Sequence, residues 1–215
     1  MATTHISPQW MSGLGLRARK GGAVAVGVAV AEGVPRVLLS TRLPTCDDED
    51  RLSLEPYRMA ADMPRSPEGR ASDEAMAIVA EGRRRQDQMA AGNLHAMLRQ
   101  LEAPGSKPAV AALLVNRAGW ITDLLGYSLA WAQHVPVAEN LAVRDALRFA
   151  ARQCRIDLVE LDEKSLPDLA VTTLGMSSID IAARLRKLRP ARGKPWRKEQ
   201  KLACLAAWVA LTNRR

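Results

Sequence analysis

Chemistry in this chain has to be sought among a few scattered groups. The run Cys46-Asp47-Asp48-Glu49-Asp50 places carboxylates close enough to meet a divalent cation, but a solvated acidic turn explains the same composition and is the expected reading. Cys46, Cys154 and Cys204 are odd in number and widely separated, and two of them lie in apolar helical patterns; they read as buried thiols. His5, His95 and His134 are equally dispersed, so no Cys/His cluster supplies the four ligands of a structural zinc. Gly13-x-Gly15-x-x-Ala18 matches a dinucleotide fingerprint, with Glu32 not far from the expected acidic position. That motif must open a helix, whereas here Arg19-Lys20-Gly21-Gly22 leads into alternating valines.

The cations carry a stronger signal. The chain of 215 residues has 31 Lys and Arg against 23 Asp and Glu, a formal net charge of +8, which favours anionic partners such as nucleic acid. Arg184, Arg186, Lys187, Arg189, Arg192, Lys194, Arg197, Lys198 and Lys201 fall in one stretch whose only acid is Glu199. Trp196 lies inside it. An aromatic ring beside cations suits base stacking, while a tryptophan capping the core at a helix start is the plainer reading. Arg83-Arg84-Arg85 and Arg99 are expected on the solvated face of a helix.

The elements that must position these groups read as α/β. A short apolar run over residues 10–18 ends at a Gly21-Gly22 reversal, and Val24, Val26, Val28 and Val30 then recur at period two. A third strand spans residues 36–43. Three strands joined by short turns predict an antiparallel meander. Residues 44–72 form an irregular loop with one short element. A helix runs from Ser72 or Asp73 to about Leu101, and 109–115 is a continuous apolar strand of the kind buried on both faces. Residues 121–135 are helical, an amphipathic helix starts from Asn140, and Ile156 to Leu161 is a further strand. Strand, helix and strand make a crossover unit with parallel strands. Ser177 caps a short helix, a basic linker covers 190–196, and a buried helix runs from Trp196 or Arg197 to Thr212. The length suits one domain, 1–215, with residues 1–9 as a tail. No apolar run is long enough for a membrane span and no secretory signal is visible, so a cytoplasmic protein with no membrane association is expected.

This order of elements resembles the ribonuclease-H-like superfamily and, within it, Holliday-junction resolvases of the RuvC type. Gly13 to Val24 is similar to the family's first strand and turn, and Glu199 to Trp208 to its last, alanine-rich helix. Val159 to Leu166 and Leu174 to Ser177 are similar to the late strand and the glycine-bearing loop before that helix. The resemblance implies a mixed sheet flanked by helices, and a nuclease holding two divalent metals with clustered carboxylates. It places an aspartate in the first strand, where this chain has Leu16, Arg17 or Ala18, and an acid at the end of the fourth, where it has Asn116 and Arg117. Only Glu199 is acidic at a matching place. A degenerate site of this kind implies a non-catalytic module with no metal and no cofactor, binding nucleic acid or a partner protein through a basic surface.

That surface is expected to include Arg17, Arg19, Lys20 and Arg117 gathered at the strand ends as a phosphate seat, with Arg189, Arg192, Lys194, Trp196, Arg197 and Lys198 beside them. Two alternatives stand. An active metal-dependent nuclease would need displaced acids, for which Asp62, Asp123, Asp162 and Glu199 are the candidates. A structural subunit would use the fold only to bind another chain.

Overall fold

In the computed structural model, residues 10–31, 33–102, 105–116, 120–188 and 196–214 are described. The 1–9 tail, Glu32, Arg117, Arg189, Arg192, Lys194 and the linker up to Pro195 lie outside them.

Five strands form one sheet in the order β3-β2-β1-β4-β5: β1 (Trp10–Arg19), β2 (Gly22–Ala31), β3 (Val34–Pro44), β4 (Ser106–Val115) and β5 (Leu158–Asp162). The first three are antiparallel, β1 is parallel to β4, and β4 is parallel to β5. Leu14, Val26, Leu38 and Val115 share this sheet with β1 at its centre, the arrangement that the resemblance implies. The β1–β2 reversal is tight because Gly21 turns at φ 72°, a region that a side chain disfavours.

Alternation divides the strands between two cores. Leu14, Leu16, Ala23, Ala25 and Leu113 face the long helix α3 (Asp73–Glu102) and α5 (Val135–Gln153), whose Leu94, Leu101, Val143 and Leu147 are buried against them. Val24, Val26, Val28, Ala112 and Leu114 face α8 (Lys198–Thr212), in which every residue from Ala203 to Leu211 is buried. The valines of β2 are thus only one of its filled faces; the alanines between them pack on the other.

Close approach explains the glycines of β1. A Cβ on Gly15 would fall 1.7 Å from the Ala203 carbonyl oxygen, and one on Gly13 would fall 2.8 Å from Leu211 Cγ. The Gly13-x-Gly15 spacing therefore lets α8 lie against the sheet backbone, and it opens no helix.

Several boundaries differ from the sequence expectation. The 44–72 segment contains two short helices, α1 (Arg51–Leu54), capped by Asp50, and α2 (Pro56–Ala61). The 121–135 segment resolves into α4 (Leu124–Ala130), capped by Asp123, and a 3-10 turn at Ala132–His134. Helix α5 begins at Val135, five residues before Asn140, because Pro136 is tolerated in a first turn. The segment before Gly175 forms α6 (Leu166–Leu174), which ends where Gly175 adopts φ 60°. Helix α7 (Ser178–Lys187) starts at the Ser177 cap, whose side chain accepts from the Asp180 N–H.

Candidate functional site at the carboxyl ends of the parallel strands

Arg17 lies near the carboxyl end of the central strand, on the same face as Gly13 and Gly15 and therefore toward α8. Two carboxylates converge on it. Glu163 directly follows β5, and its backbone N–H donates to the Val115 carbonyl at 2.9 Å, which extends the β4–β5 pairing and holds the residue in place. Glu199 sits in the first turn of α8. The Arg17 guanidinium donates to both oxygens of Glu163, at 3.0 Å each, and through Nη1 to Glu199 Oε1 at 2.8 Å.

This is fork-to-fork pairing, the strongest geometry available to the two groups, with a second carboxylate on the remaining edge. Hydrogen bonding to Glu163 raises the Arg17 pKa; partial burial opposes the shift, and the charges of Glu163 and Glu199 add to it. A guanidinium fixed between two carboxylates does not fit a divalent ion in the same place, because it occupies their lone pairs and repels a second cation. Among the described residues no group of three or more His, Cys, Asp or Glu side chains is placed to share a metal.

Beside this centre a cleft of about 630 Å³ opens at the end of β4, lined among others by Asn116, Thr122, Arg144, Arg148 and Glu160. Arg148 bridges Asp145 and Glu160. Arg144 differs, since Nη1 donates to Asn116 Oδ1 at 2.5 Å, Nε is buried without a partner, and no ion pair joins it to a described carboxylate. Burial and the neighbouring Arg148 lower its pKa. Trp120, next to Ile121 of the cleft wall, is 72% exposed and meets Tyr127 edge-on at 5.8 Å. Tyr127 is in turn stacked on His134 at 3.9 Å.

No family model matches the sequence, and no curated protein matches it. Solved structures do. RuvC of Thermus thermophilus, in complex with a Holliday junction substrate, aligns with 95% of this chain and 95% of its own at TM-score 0.51 and 13% identity. A second Thermus thermophilus RuvC structure aligns with 95% of this chain and 96% of its own at TM-score 0.50 and 13% identity. The fold is RuvC-like. The mixed sheet of the ribonuclease-H-like class, three antiparallel strands followed by parallel ones, is the expected architecture.

Within this RuvC-like fold the candidate residues fall in different places. Of the acids, only Glu199 joins Arg17. Asp62 ends α2 and lies near Arg51 and Arg58, and Asp123 caps α4 by accepting from the Gly126 N–H at 2.9 Å. Asp162 turns the chain out of β5 by accepting from the N–H and Oγ of Ser165. Of the four residues expected as a phosphate seat, Arg117 lies outside the described residues, and Arg17, Arg19 and Lys20 have separate surroundings. Arg17 is held by its two carboxylates, Lys20 pairs with Glu55 at 2.5 Å, and Arg19 is exposed at the strand end. Arg197 and Lys198 are exposed at the start of α8, as are Arg184, Arg186 and Lys187 on α7. Trp196 is half-buried against the α8 core and donates from Nε1 to the Leu185 carbonyl at 2.6 Å, a helix-joining position.

Glu163 was not among the sequence candidates. Alternation from the buried Leu161 places it on the α8 face, a signal that needs the end of β5 to be known first. The acidic run is structural: Asp47 accepts from the Glu49 N–H, Asp48 pairs with Arg42, and Asp50 caps α1 and meets Arg85. Arg84 and Arg85 pair with Glu81 on the surface of α3. No helix among the described residues is long and apolar enough to cross a membrane.

Proposed function

We propose that this chain is a ribonuclease-H-like module that binds nucleic acid without hydrolysing it, with Arg17 as an internal cation where a nuclease of this fold would need an ion. The observation that carries the reading is the pairing of Arg17 with Glu163 and Glu199 at the carboxyl end of the central parallel strand. Two-metal hydrolysis needs those oxygens free, and here both carboxylates are committed to a guanidinium that no pH in the physiological range deprotonates.

The binding half of the reading rests on what surrounds the pair. Arg19, Lys164, Arg197 and Lys198 are exposed and lie within two residues of Arg17, Glu163 or Glu199. Arg144 brings a half-buried guanidinium, hydrogen-bonded to Asn116 and acted on by the charges of Glu160 and Glu163, into the neighbouring cleft, and the exposed Trp120 precedes Ile121 of its wall. Cations that follow a phosphate backbone, joined to an aromatic face for a base, are the elements of sequence-tolerant binding. Thermus thermophilus RuvC is seen with a Holliday junction, so branched DNA belongs among the ligands tried.

The test is binding to single-stranded, duplex and four-way-junction DNA and to RNA at two salt concentrations, together with cleavage assays in magnesium and manganese. Binding that weakens steeply with salt, and that weakens further when Arg19, Lys164 and Lys198 are changed to Glu, is expected. Absence of salt-dependent binding to all of them removes the binding half. Metal-dependent cleavage that disappears in Glu163→Gln and Glu199→Gln removes the non-catalytic half.

A further inference from the structure

Leu141, Arg144, Asp145 and Arg148 follow one another on α5 at the i, i+3, i+4, i+7 spacing of a single helix face, and all four line the cleft of about 630 Å³ at the end of β4. Glu160 and Asp162, two apart on β5 and so on one face of that strand, also line it. The volume is in the range of small-molecule clefts. Val115, Ile121, Leu124 and Leu141 give the lining apolar surface, while Asn116, Thr122 and the charged residues give it polar atoms.

Pairing inside the cleft leaves one cation over. Arg83 is bound to Asp145 at 2.8 Å, and Arg148 to both Asp145 and Glu160. Asp162 accepts from Ser165. Arg144 is held instead by a neutral group, the Asn116 amide oxygen, through Nη1. An amide fixes the guanidinium without cancelling its charge. Glu160 and Glu163 attract it from beyond ion-pair distance, while Arg148 and Arg17 repel it. Of its three nitrogens, Nε is buried and closed to any ligand, and Nη1 is taken. Nη2 is neither buried nor bonded to a described residue, so it is the donor that the cleft presents. Asn116 and Thr122 are exposed, and neither the Asn116 amide nitrogen nor the Thr122 hydroxyl bonds to a described residue.

We propose that this cleft takes one unpaired nucleotide of a bound strand, its phosphate on Arg144 Nη2 and its base against Ile121, Leu124 and Leu141, an inference that rests on the nucleic-acid-binding reading above. One guanidinium without a contacting carboxylate matches the single charge of a phosphodiester. The apolar residues match the faces of a base, and the open Asn116 and Thr122 groups match its polar edge. Trp120, directly before Ile121 and 72% exposed, gives the next base a ring to stack on. A base paired in a duplex enters such a cleft only after extrusion at the cost of its stacking, so the cleft favours a strand that is already unpaired.

Titration of the full chain with the 5′-monophosphates of adenosine, cytidine, guanosine and uridine, and with ribose 5-phosphate, followed by backbone amide resonances, tests this. Saturable binding of at least one nucleotide is expected, with shifts at Asn116, Thr122 and Arg144. Its affinity should exceed that of ribose 5-phosphate, which has no base, by about tenfold or more. Asn116→Asp, at an exposed position, sets a carboxylate on Arg144 and is expected to weaken nucleotide binding by about tenfold or more. Arg144→Gln is expected to do the same, and Asn116→Asp supplies the reading if the half-buried Arg144 cannot be replaced without unfolding. Single-stranded and duplex DNA are titrated alongside; the single strand is expected to bind more tightly, by a margin that shrinks in Asn116→Asp. If the polymers bind and no mononucleotide saturates at about 10 mM, the cleft is overturned and the nucleic-acid-binding module stands. Equal affinity for ribose 5-phosphate and the nucleotides, or nucleotide binding unchanged in Asn116→Asp, also overturns the cleft. A chain that binds no polymer overturns both.

Discussion

Arg17 and Glu163 are joined by two parallel hydrogen bonds of 3.0 Å across the space between the central strand and the end of the last one. The third contact, to Glu199, ties the same guanidinium to α8. One side chain thus links three elements, β1, β5 and α8, that are distant in sequence. Its removal leaves two carboxylates facing one another.

Arg17→Ala is therefore expected to destabilise the protein by about 1–3 kcal/mol, below the figure for a fully buried pair because all three side chains are partly solvated. Urea denaturation measures it. Arg17→Ala/Glu163→Gln is expected to recover part of the loss, since one uncompensated charge is removed. Equal stability of wild type and Arg17→Ala would show that the pairing holds nothing together.

Replacing the cation by an acid inverts the site. Arg17→Asp sets a third carboxylate beside Glu163 and Glu199, a hard oxygen set suited to magnesium or manganese. The variant is expected to bind manganese in a calorimetric titration and to gain thermal stability in its presence, whereas the unaltered chain shows neither response. Identical behaviour of the two proteins argues that Glu163 and Glu199 cannot close on an ion.

The exposed Trp120 and the half-buried Trp196 are expected to separate function from stability. Trp120→Ala should weaken single-stranded nucleic acid binding by about 1–3 kcal/mol if its ring stacks on a base. Trp196→Ala should act mainly on stability, because Nε1 is bonded to Leu185 and the ring packs on the α8 core. Parallel fluorescence binding and thermal melts decide this, and a binding loss confined to Trp196→Ala reverses the assignment.

Glycine substitutions report on the docking of α8. Gly15→Ala has no space, with Ala203 oxygen 1.7 Å from the new Cβ, and is expected to cost about 3 kcal/mol or more. Gly92→Ala, in α3 with no atom within 4 Å of its Cβ position, is expected to stabilise by about 0.5–1 kcal/mol. Thermal melts of the two variants should move in opposite directions.

Glu139 sets a pH dependence. Burial raises its pKa in the folded protein from the ordinary carboxyl range to about 7. Its contribution to stability is therefore fully present below the unfolded value and is lost as pH rises through the folded one. Glu139→Gln lacks this loss. Relative to wild type it is expected to gain about 1–3 kcal/mol between about pH 4.5 and pH 8, read from urea denaturation along the pH series. A gap that stays constant with pH would place the carboxyl outside the titration.

The sheet was legible in advance because its signals are local. Alternating valines, the Gly21-Gly22 reversal and the apolar 109–115 run each state their geometry within a few residues. Helix α6 and the first turn of α5 were less legible. Leu166–Leu174 is short and close to a glycine, and Pro136 opens a helix whose apolar stripe is regular only after Asn140. The site was half legible. Arg17 and Glu199 stood out against the resemblance to a nuclease, whereas Glu163 was one of three acids at the end of β5.

By itself the sequence determined the α/β class, the antiparallel meander that follows from short turns, the parallel pair that follows from one crossover, and the basic balance of the chain. Those properties depend on residue type and short-range spacing. Tertiary structure alone decided that the Arg17 guanidinium is paired with two carboxylates, that one of them is Glu163, 146 residues away, and that Lys20 pairs elsewhere, with Glu55. An ion pair is made by the distance between side-chain ends, which is set by strand register, the face each residue occupies and how closely α8 can approach the glycines of β1. None of these is written at any one position in the chain.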